Sequence, residues 1–318
     1  MPEGSPNEGS LNERSFYEGS LYEGDIVDSH HHVWRQADMP WLSGPMVPRI
    51  FGPYEPIRRD YLIQEYRDDA ASAGIRTSVY VQPNWPMDRV VDEVRWIAEL
   101  NERTGWPMAM VGCADLFAAD AVEVMRAQQA ITRLVVGTRL QLHWHERPEF
   151  RFADGPDAML DPVFRDNIAA LRDLGWLFEL QVFAGQMHDA AALVADNPGV
   201  TFVLVHAGML TDHTDPAVVA QWRAGMRELA ACPNVVVKLT GQGTFVHRVD
   251  PDLIRFVADE VLDGFGSDRA MFGTNLPVEK LWTTSADLTG AWRQALRHRT
   301  QDEQADVFSR TARRVYGL

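Results

Sequence analysis

Three consecutive histidines, His30 to His32, follow an apolar run in the segment IVDSHHHVW. The run has the composition of a β-strand, in which successive side chains alternate between the two faces. This alternation places Asp28, His30 and His32 on one face, so that two imidazole rings converge on one point. Neutral imidazole is the commonest nitrogen ligand of zinc and similar ions. The spacing therefore predicts a metal-binding or catalytic pair, with a chance cluster or hydrogen-bonded core histidines as the alternative.

Strands predicted further along the chain also end in polar side chains. His206 follows four apolar residues in TFVLVHAGM, where a single histidine is more often a structural hydrogen-bonding residue than a ligand. Asn275 ends the predicted strand in MFGTNLPVEK. Lys238 lies inside NVVVKLTGQG, and a buried ammonium group without a partner is costly. We therefore expect Lys238 either to pair with Asp28 or Glu179 or to act in catalysis.

A third group of polar side chains falls on the central predicted strands. VVGTRLQLHWH places Arg139, Gln141 and His143 on one face. The planar guanidinium of Arg139 suits a substrate carboxylate, although a structural pair with a barrel carboxylate is equally compatible. Gln181 in LFELQVF and Gln82 in VYVQPNW are candidates for the same surface. Tryptophans recur in the predicted loops, where they can wall a ring-shaped ligand or form lids that pack on themselves. These tryptophans are Trp34, Trp41, Trp85, Trp144 and Trp282.

The elements that must position these side chains are eight short β-rich runs that alternate with amphipathic segments. Several of the amphipathic segments open with Asp and close with Gly, as capped helices do. Eight βα units without a linker predict a single (β/α)8 TIM barrel, with an open doubly wound sheet as the alternative. In such a barrel the carboxyl ends of the strands meet at one rim, where catalytic residues lie. The predicted strands are residues 25–32, 77–82, 108–114, 134–141, 177–182, 201–206, 235–240 and 270–275.

The composition limits the classes of partner. The chain has 318 residues, of which 46% are hydrophobic and 24% charged, as in an ordinary globular protein. Its net charge of −15 disfavours nucleic acid and anionic membrane surfaces, so we expect a small-molecule substrate. The two cysteines, Cys113 and Cys232, form no CxxC motif and favour a reducing, cytoplasmic compartment.

The first 24 residues differ in composition from the rest. They nearly repeat themselves, as NEGSL and then YEGSL, and they lack the basic and apolar regions of a secretory signal. We predict a flexible arm over residues 1–24 and one barrel domain over residues 25–318, with a last helix at 302–316 packed outside. The aromatic residues Phe16, Tyr17 and Tyr22 of the arm can dock on the barrel or on another subunit, which leaves a homo-oligomer open.

Five segments, taken in chain order, resemble the amidohydrolase superfamily. They are IVDSHHHVW, the GTR of the fourth strand, VLVHAG, VVVKLTG and MFGTNLPV. The sequence is most similar to the amidohydrolase-2 branch of metal-dependent TIM-barrel hydrolases, which includes L-fuconolactonase, L-rhamnonolactonase and 2-pyrone-4,6-dicarboxylate lactonase. The resemblance runs from about residue 25 to residue 316, and it is specific for the family but not for a substrate.

The resemblance assigns metal-binding positions to His30 and His32 on strand 1 and to His206 on strand 6. Most of the superfamily has an aspartate on strand 8, where this chain has Asn275. An amide has no basic lone pair near neutral pH, so Asn275 cannot be the general base, although it can orient a water or hold a carbonyl. Strand 4 has no lysine or glutamate and strand 5 no histidine for a second metal ion. We therefore expect at most one divalent ion, zinc or manganese, held weakly or not at all, and no organic cofactor.

The resemblance implies a hydrolase that opens a cyclic ester, either a sugar lactone or a carboxylated lactone or pyrone. In this hypothesis His30 and His32, or a metal ion that they hold, polarise the lactone carbonyl, and His206 activates water. Two alternatives stay open: a decarboxylase or hydro-lyase on the same barrel, and a barrel that has lost catalysis and binds a ligand. The predicted substrate-binding residues are Gln82, Arg139, Gln141, His143, Gln181, Trp41 and Trp282.

Overall fold

The computed structural model describes residues 19–318, and its centre is a barrel of eight parallel strands. Each strand pairs with the next one along the chain. The chain after the last strand returns to the first, because the N–H of Asn275 donates to His30 O and the N–H of His32 donates to Leu276 O, both at 2.7 Å. The predicted (β/α)8 barrel is confirmed, and the alternative of an open sheet is wrong. The strands are β1 Ile26–His31, β2 Ile75–Val81, β3 Ala109–Gly112, β4 Val135–Gln141, β5 Leu177–Gln181, β6 Phe202–Leu204, β7 Val235–Leu239 and β8 Ala270–Phe272.

Helices connect the strands, and three of them begin at an Asp-Pro pair. Asp161, Asp215 and Asp250 each accept a hydrogen bond from a main-chain N–H of the first helical turn, and the proline that follows needs no partner there. Gly105 and Gly175 end their helices in the left-handed conformation that glycine adopts without strain. None of the helices in residues 19–318 is both long and apolar enough to cross a membrane. The helices are α1 Pro40–Ser43, α2 Ile63–Ser72, α3 Val90–Thr104, α4 Ala121–Ile131, α5 Pro162–Leu174, α6 Met187–Asp196, α7 Pro216–Ala230, α8 Pro251–Phe265, α9 Ser285–Leu296, α10 Gln301–Ala305 and α11 Thr311–Tyr316.

The barrel interior is filled at its amino end by small apolar side chains and by the end of the chain. A π-helical segment, Asp306–Arg310, joins α10 to α11, so the chain is helical from Gln301 to Tyr316. Ala312 and Tyr316 of α11 belong to the interior cluster, so the last helix covers the barrel floor. The prediction that this helix packs outside the barrel is therefore wrong. The strand residues of this cluster are Val27, Val79, Val81, Ala109, Val111, Leu177, Val203, Val236 and Met271.

Strand β1 contains an irregularity that determines which way its side chains face. Asp28 pairs with Ser78 of β2, whereas His31 pairs with Tyr80, so two residues of β1 lie opposite one residue of β2. Such an extra residue is a bulge, and it shifts the alternation of side chains by one position. Asp28 and the histidines therefore do not follow a single period of two.

Asp28 contacts the helix layer instead of the interior. Its carboxylate accepts hydrogen bonds from Tyr66 OH of α2 at 2.9 Å and from Thr274 Oγ1 at 2.6 Å. The predicted common face of Asp28, His30 and His32 is therefore wrong for Asp28, because the bulge turns this residue outward. His30 and His32 keep a common side of the strand, and their ring centroids are 5.0 Å apart.

The last residues of the predicted arm pack on the barrel. The ring of Tyr22 stacks on Phe308 with centroids 5.3 Å apart. The main-chain carbonyl of Ser20 accepts hydrogen bonds from the side-chain amides of Gln301 and Gln304 at 2.9 and 3.1 Å. Tyr22 thus docks on the chain's own last helical segment. Phe16, Tyr17 and the rest of residues 1–18 lie outside the described part of the chain, and their predicted flexibility stays a prediction.

Candidate active site

The carboxyl ends of the strands surround one cavity, with about 670 Å³ of empty space between its walls and at its mouth. Side chains from β4 and β5 reach it together with residues that follow β1, β6 and β8. This is the rim at which a (β/α)8 barrel carries its chemistry. The predicted site residues on its wall are His32, Trp41, Arg139, Gln141, His143, Gln181, His206 and Asn275.

Three other predicted residues do not line the cavity. His30 is fully buried beneath it, with its ring centroid 5.0 Å from those of His32 and His206. The side chain of Gln82 bonds to the main chain: its Nε2 donates to Arg139 O, and its Oε1 accepts from the N–H of Asn84. Trp282 donates its indole N–H to Glu279 Oε2 at 2.6 Å. Gln82 and Trp282 are therefore satisfied by protein neighbours instead of standing on the wall where the sequence analysis placed them.

The segment after β6 holds His206 in a strained backbone. His206, Ala207 and Met209 have φ values of 55°, 48° and 51°, a region that residues with a side chain rarely adopt. Such strain persists only where the surroundings fix it. His206 Nδ1 lies 2.7 Å from Thr240 Oγ1, and a Cβ on Gly241 would lie 2.6 Å from the same nitrogen. Sequence reasoning missed Thr240 and Gly241, although the TG pair at the end of β7 is the signal for them.

Hydrogen bonds fix the tautomers of the two strand 1 histidines. His32 Nδ1 lies 2.6 Å from Val81 O; because a carbonyl only accepts, Nδ1 carries the proton and Nε2 keeps its lone pair. Lys238 Nζ lies 3.3 Å from His30 Nδ1, and an ammonium only donates, so His30 carries its proton on Nε2. His30 Nε2 is buried without a hydrogen-bond partner among the described residues. The two rings therefore present opposite groups, a donor on His30 and an acceptor on His32.

Below these rings lies a charged pair in the barrel interior. Lys238 Nζ lies 2.5 Å from Glu179 Oε1, and both side chains are fully buried. The hydroxyl of Tyr316, from the helix on the barrel floor, donates to the same oxygen at 2.9 Å. Of the two partners that the sequence predicted for Lys238, the structure shows Glu179 and not Asp28, which the bulge in β1 turns away.

The histidines of the site are neutral near pH 7. Burial lowers the pKa of His206 well below its usual value, and the positive charges of Arg139 and Lys238 lower it further. Burial likewise lowers the pKa values of His30 and His32 well below their usual value; the charge of Lys238 lowers that of His30 further, and the charge of Arg139 that of His32. His206 is therefore an unprotonated acceptor over a wide pH range, instead of a base with a pKa near neutrality.

The donor set does not fit a metal ion. Within residues 19–318, no three His, Cys, Asp or Glu side chains are placed to hold one together. His30, His32 and His206 are close, but no carboxylate lines the cavity beside them. His30 offers Nε2–H instead of a lone pair, because Lys238 occupies its Nδ1. The arrangement thus favours hydrogen bonding over metal ligation.

A second buried acid lies behind the cavity wall. Glu93 of α3 is fully buried, and its Oε1 accepts a hydrogen bond from Tyr80 OH at 2.7 Å. Burial raises the pKa of Glu93 to about 8. The folded protein therefore binds a proton here that the unfolded chain has released, so this group stabilises the fold below about pH 4.5 and that contribution is lost as the pH rises through 8.

Replacing Glu93 by Gln should remove this pH dependence. Between about pH 5 and pH 9, the unfolding free energy of the wild-type protein should fall by on the order of 2–4 kcal/mol more than that of Glu93→Gln. Urea unfolding at the two pH values measures the difference. Glu102→Gln, at an exposed position of the same helix, is the matched control. Parallel pH profiles of wild type and Glu93→Gln would contradict the protonated state of Glu93.

Loop residues that the sequence analysis did not select complete the wall. Arg49 and Phe51 come from the long segment after β1, and Arg151 and Phe152 from the segment after β4. The guanidinium of Arg49 lies 5.0 Å from the ring centre of Trp41. No periodic pattern marks such residues, since the loops that carry them are irregular.

A closed eight-stranded barrel with histidines at the carboxyl ends of its strands defines the class of TIM-barrel enzymes that use this rim for catalysis. The sequence narrows the class. Residues 27–318 match the family described as amidohydrolase, and the chain belongs to that family. The predicted resemblance is therefore confirmed.

Individual relatives extend the comparison. The chain is 30% identical to L-fucono-1,5-lactonase from Burkholderia multivorans over 308 residues, 92% of this chain and 96% of that protein. A crystal structure of an amidohydrolase from Burkholderia multivorans with bound zinc matches with a TM-score of 0.77 at 28% identity, covering 93% of this chain and all of that one. The structure of 5-carboxyvanillate decarboxylase from Sphingomonas paucimobilis matches with a TM-score of 0.62 at 13% identity, covering 94% of this chain and all of that one, which shows the fold alone.

Proposed function

We propose that the protein is a lactonase, which opens a cyclic ester by attack of water at the barrel rim. The observation that carries the proposal is the convergence of His32, His206 and Asn275 on one aromatic-walled cavity, with His30 directly beneath it. The membership in the amidohydrolase family and the 30% identity to an L-fucono-1,5-lactonase support it.

His206 is the general base in this proposal. The ring is neutral, and with the proton on Nδ1 directed to Thr240 Oγ1, Nε2 is free to accept. As the water oxygen attacks the carbonyl carbon, its proton passes to Nε2. The same proton then passes to the ring oxygen as the ester C–O bond breaks. The product is a hydroxy acid.

The remaining groups bind oxygen atoms. The Asn275 amide on the cavity wall, and His30 Nε2–H, which is buried directly beneath the wall without a partner among the described residues, are the proposed donors for the negative charge that develops on the carbonyl oxygen. His32 cannot share this role while it is neutral, because its proton is on the Nδ1 that faces Val81 O. Its Nε2 lone pair instead accepts a hydrogen bond from the attacking water. No step of this mechanism passes through a metal ion.

The proposal is tested by acid release from a panel of sugar lactones and carboxylated lactones or pyrones, followed with a pH indicator. We expect catalysed opening of at least one member. Carrying out the reaction in oxygen-18 water separates the alternatives, because hydrolysis alone must place solvent oxygen in the new carboxylate. Release of CO₂ or water without incorporation would instead support the decarboxylase or hydro-lyase alternative. Binding without turnover would support a barrel that has lost catalysis.

Removal of metal ions should leave the activity largely intact. Because the donor set favours hydrogen bonding, we expect kcat/KM after dialysis against a strong chelator to stay within about two-fold of the starting value. Metal analysis of the dialysed protein is the control. A loss of activity that added zinc or manganese reverses would instead make His30, His32 and His206 metal ligands.

The cysteines and the net charge bear on the compartment and on the kind of substrate. Cys113 and Cys232 are unpaired, which supports a reducing, cytoplasmic compartment. The net charge of −15 supports a small-molecule substrate over nucleic acid or an anionic membrane. A homo-oligomer stays an expectation, which size-exclusion chromatography of the full chain tests.

A further inference from the structure

The cavity is positively charged in an acidic protein. Its wall contains the three arginines Arg49, Arg139 and Arg151 and no aspartate or glutamate, whereas the whole chain carries a net charge of −15. A concentration of one sign of charge in a cleft attracts ligands of the opposite sign. The positive charge of this wall therefore favours an anionic ligand.

Arg139 has no carboxylate partner among the described residues, although only 3% of it is exposed. Its guanidinium donates to Gln181 Oε1 at 3.4 Å and to the carbonyl of Gln82, and its buried Nε–H has no acceptor. The buried acids Glu179 and Glu93 have other partners: Glu179 pairs with Lys238, and Glu93 accepts a hydrogen bond from Tyr80 OH. A buried cation without a counter-charge is costly.

Arg49 and Arg151 also lack ion pairs in the described part of the chain. Arg151 donates to the carbonyls of His145 and Glu146. Arg49 lies between two aromatic rings, 5.0 Å from the centre of Trp41 and 5.9 Å from that of Phe152, and its Nε–H is buried without an acceptor. Aromatic faces hold a guanidinium in place without neutralising it.

We propose that the substrate is a lactone that carries a carboxylate in addition to its ester, and that Arg49 and Arg139 bind this carboxylate. The inference rests on the proposed lactone hydrolysis and narrows its substrate from cyclic esters in general to anionic ones. The fork of guanidinium N–H groups matches the two oxygens of a carboxylate, and its positive charge is compensated only when the anion is bound. Arg49 then determines specificity, because it lies on the wall and has no carboxylate partner among the described residues.

Binding is tested with two saturated ring compounds that cannot be hydrolysed, cis-cyclohexane-1,3-dicarboxylate and cis-1,3-cyclohexanedimethanol, by isothermal titration calorimetry on the full chain. We expect saturable binding of the dicarboxylate alone, weakened about 10- to 100-fold in Arg49→Met, which keeps the apolar stem. Arg49→Lys keeps the charge and should restore part of the affinity. Arg126→Met, at an exposed position of α4, is the matched control. Equal binding of the two compounds, or equal dicarboxylate binding by wild type and Arg49→Met, would overturn the inference.

Turnover provides the second readout. Each aldonolactone is compared with the aldarolactone that differs only in having a carboxylate in place of the terminal CH₂OH, and 2-pyrone with 2-pyrone-4,6-dicarboxylate. We expect kcat/KM to favour the charged members by at least about 10-fold, and Arg49→Met to raise KM for them alone. Hydrolysis that favours the neutral members overturns the inference and leaves the lactonase proposal standing. Dicarboxylate binding without hydrolysis of any lactone overturns the lactonase proposal, and with it the lactone part of the inference, and leaves only carboxylate binding by Arg49 and Arg139.

Discussion

Replacing His206 by Asn should lower kcat for lactone hydrolysis by about 10³-fold, because general acid–base groups contribute roughly 10²- to 10⁴-fold. Asparagine tolerates the left-handed backbone that this position requires, and its side chain can still bond to Thr240. The variant therefore removes the base while keeping the local fold. Steady-state kinetics on a substrate from the lactone panel measures the loss.

The control for this variant is His188→Asn. His188 is an exposed histidine of α6 that pairs with Glu228, so its replacement should leave kcat unchanged. Thermal unfolding of both variants shows whether the fold is intact. A folded His206→Asn protein with more than about a tenth of the wild-type kcat would rule out His206 as the base and direct attention to the free Nε2 of His32.

The second large effect is expected on stability. Lys238→Met leaves Glu179 as an uncompensated charge inside the barrel, and breaking a buried ion pair from one side costs about 3–5 kcal/mol. Urea unfolding measures this loss. The double variant Lys238→Met with Glu179→Gln removes both charges, and it should recover much of the lost free energy.

The pair also has a functional readout. Lys238→Met removes the donor that holds the proton of His30 on Nε2, so kcat should fall even at temperatures where the variant is folded. Tyr316→Phe removes one hydrogen bond to the Glu179 carboxylate but leaves the ion pair, so it should cost less, about 1.5–3 kcal/mol. A single Lys238→Met variant that loses less than 1 kcal/mol would show that Glu179 is neutral in the folded protein.

The eight strands could be predicted because buried parallel strands are nearly continuous apolar runs between polar turns. The predicted ends of the strands were less accurate. The sixth strand was predicted to reach residue 206 but stops at Leu204, since the chain enters left-handed conformations at His206. The face of Arg139, Gln141 and His143 could be predicted, because alternation along β4 continues to the cavity.

The rest of the site depends on features without a periodic signal. The bulge in β1 inserts one residue into the pairing, and nothing in IVDSHHHVW distinguishes it from a regular strand. Arg49 and Arg151 reach the wall from irregular loops. The tautomers of His30 and His32 follow from contacts with Lys238 and Val81, which are distant in sequence and meet only when the barrel closes.

The position of Tyr316 has a consequence for how the protein is made. Its side chain fills the barrel floor and binds the buried Glu179, yet it comes after all eight strands in the chain. A ribosome adds about 5–20 residues per second, so β1 is made roughly 15–60 s before this residue and β8 roughly 2–9 s before it. During synthesis the floor of the barrel is therefore open until α11 is made, and Glu179 lacks the hydrogen bond from Tyr316. A chain truncated before α11 is in the same state permanently, so we expect loss of this helix to leave the buried Glu179 without its Tyr316 partner.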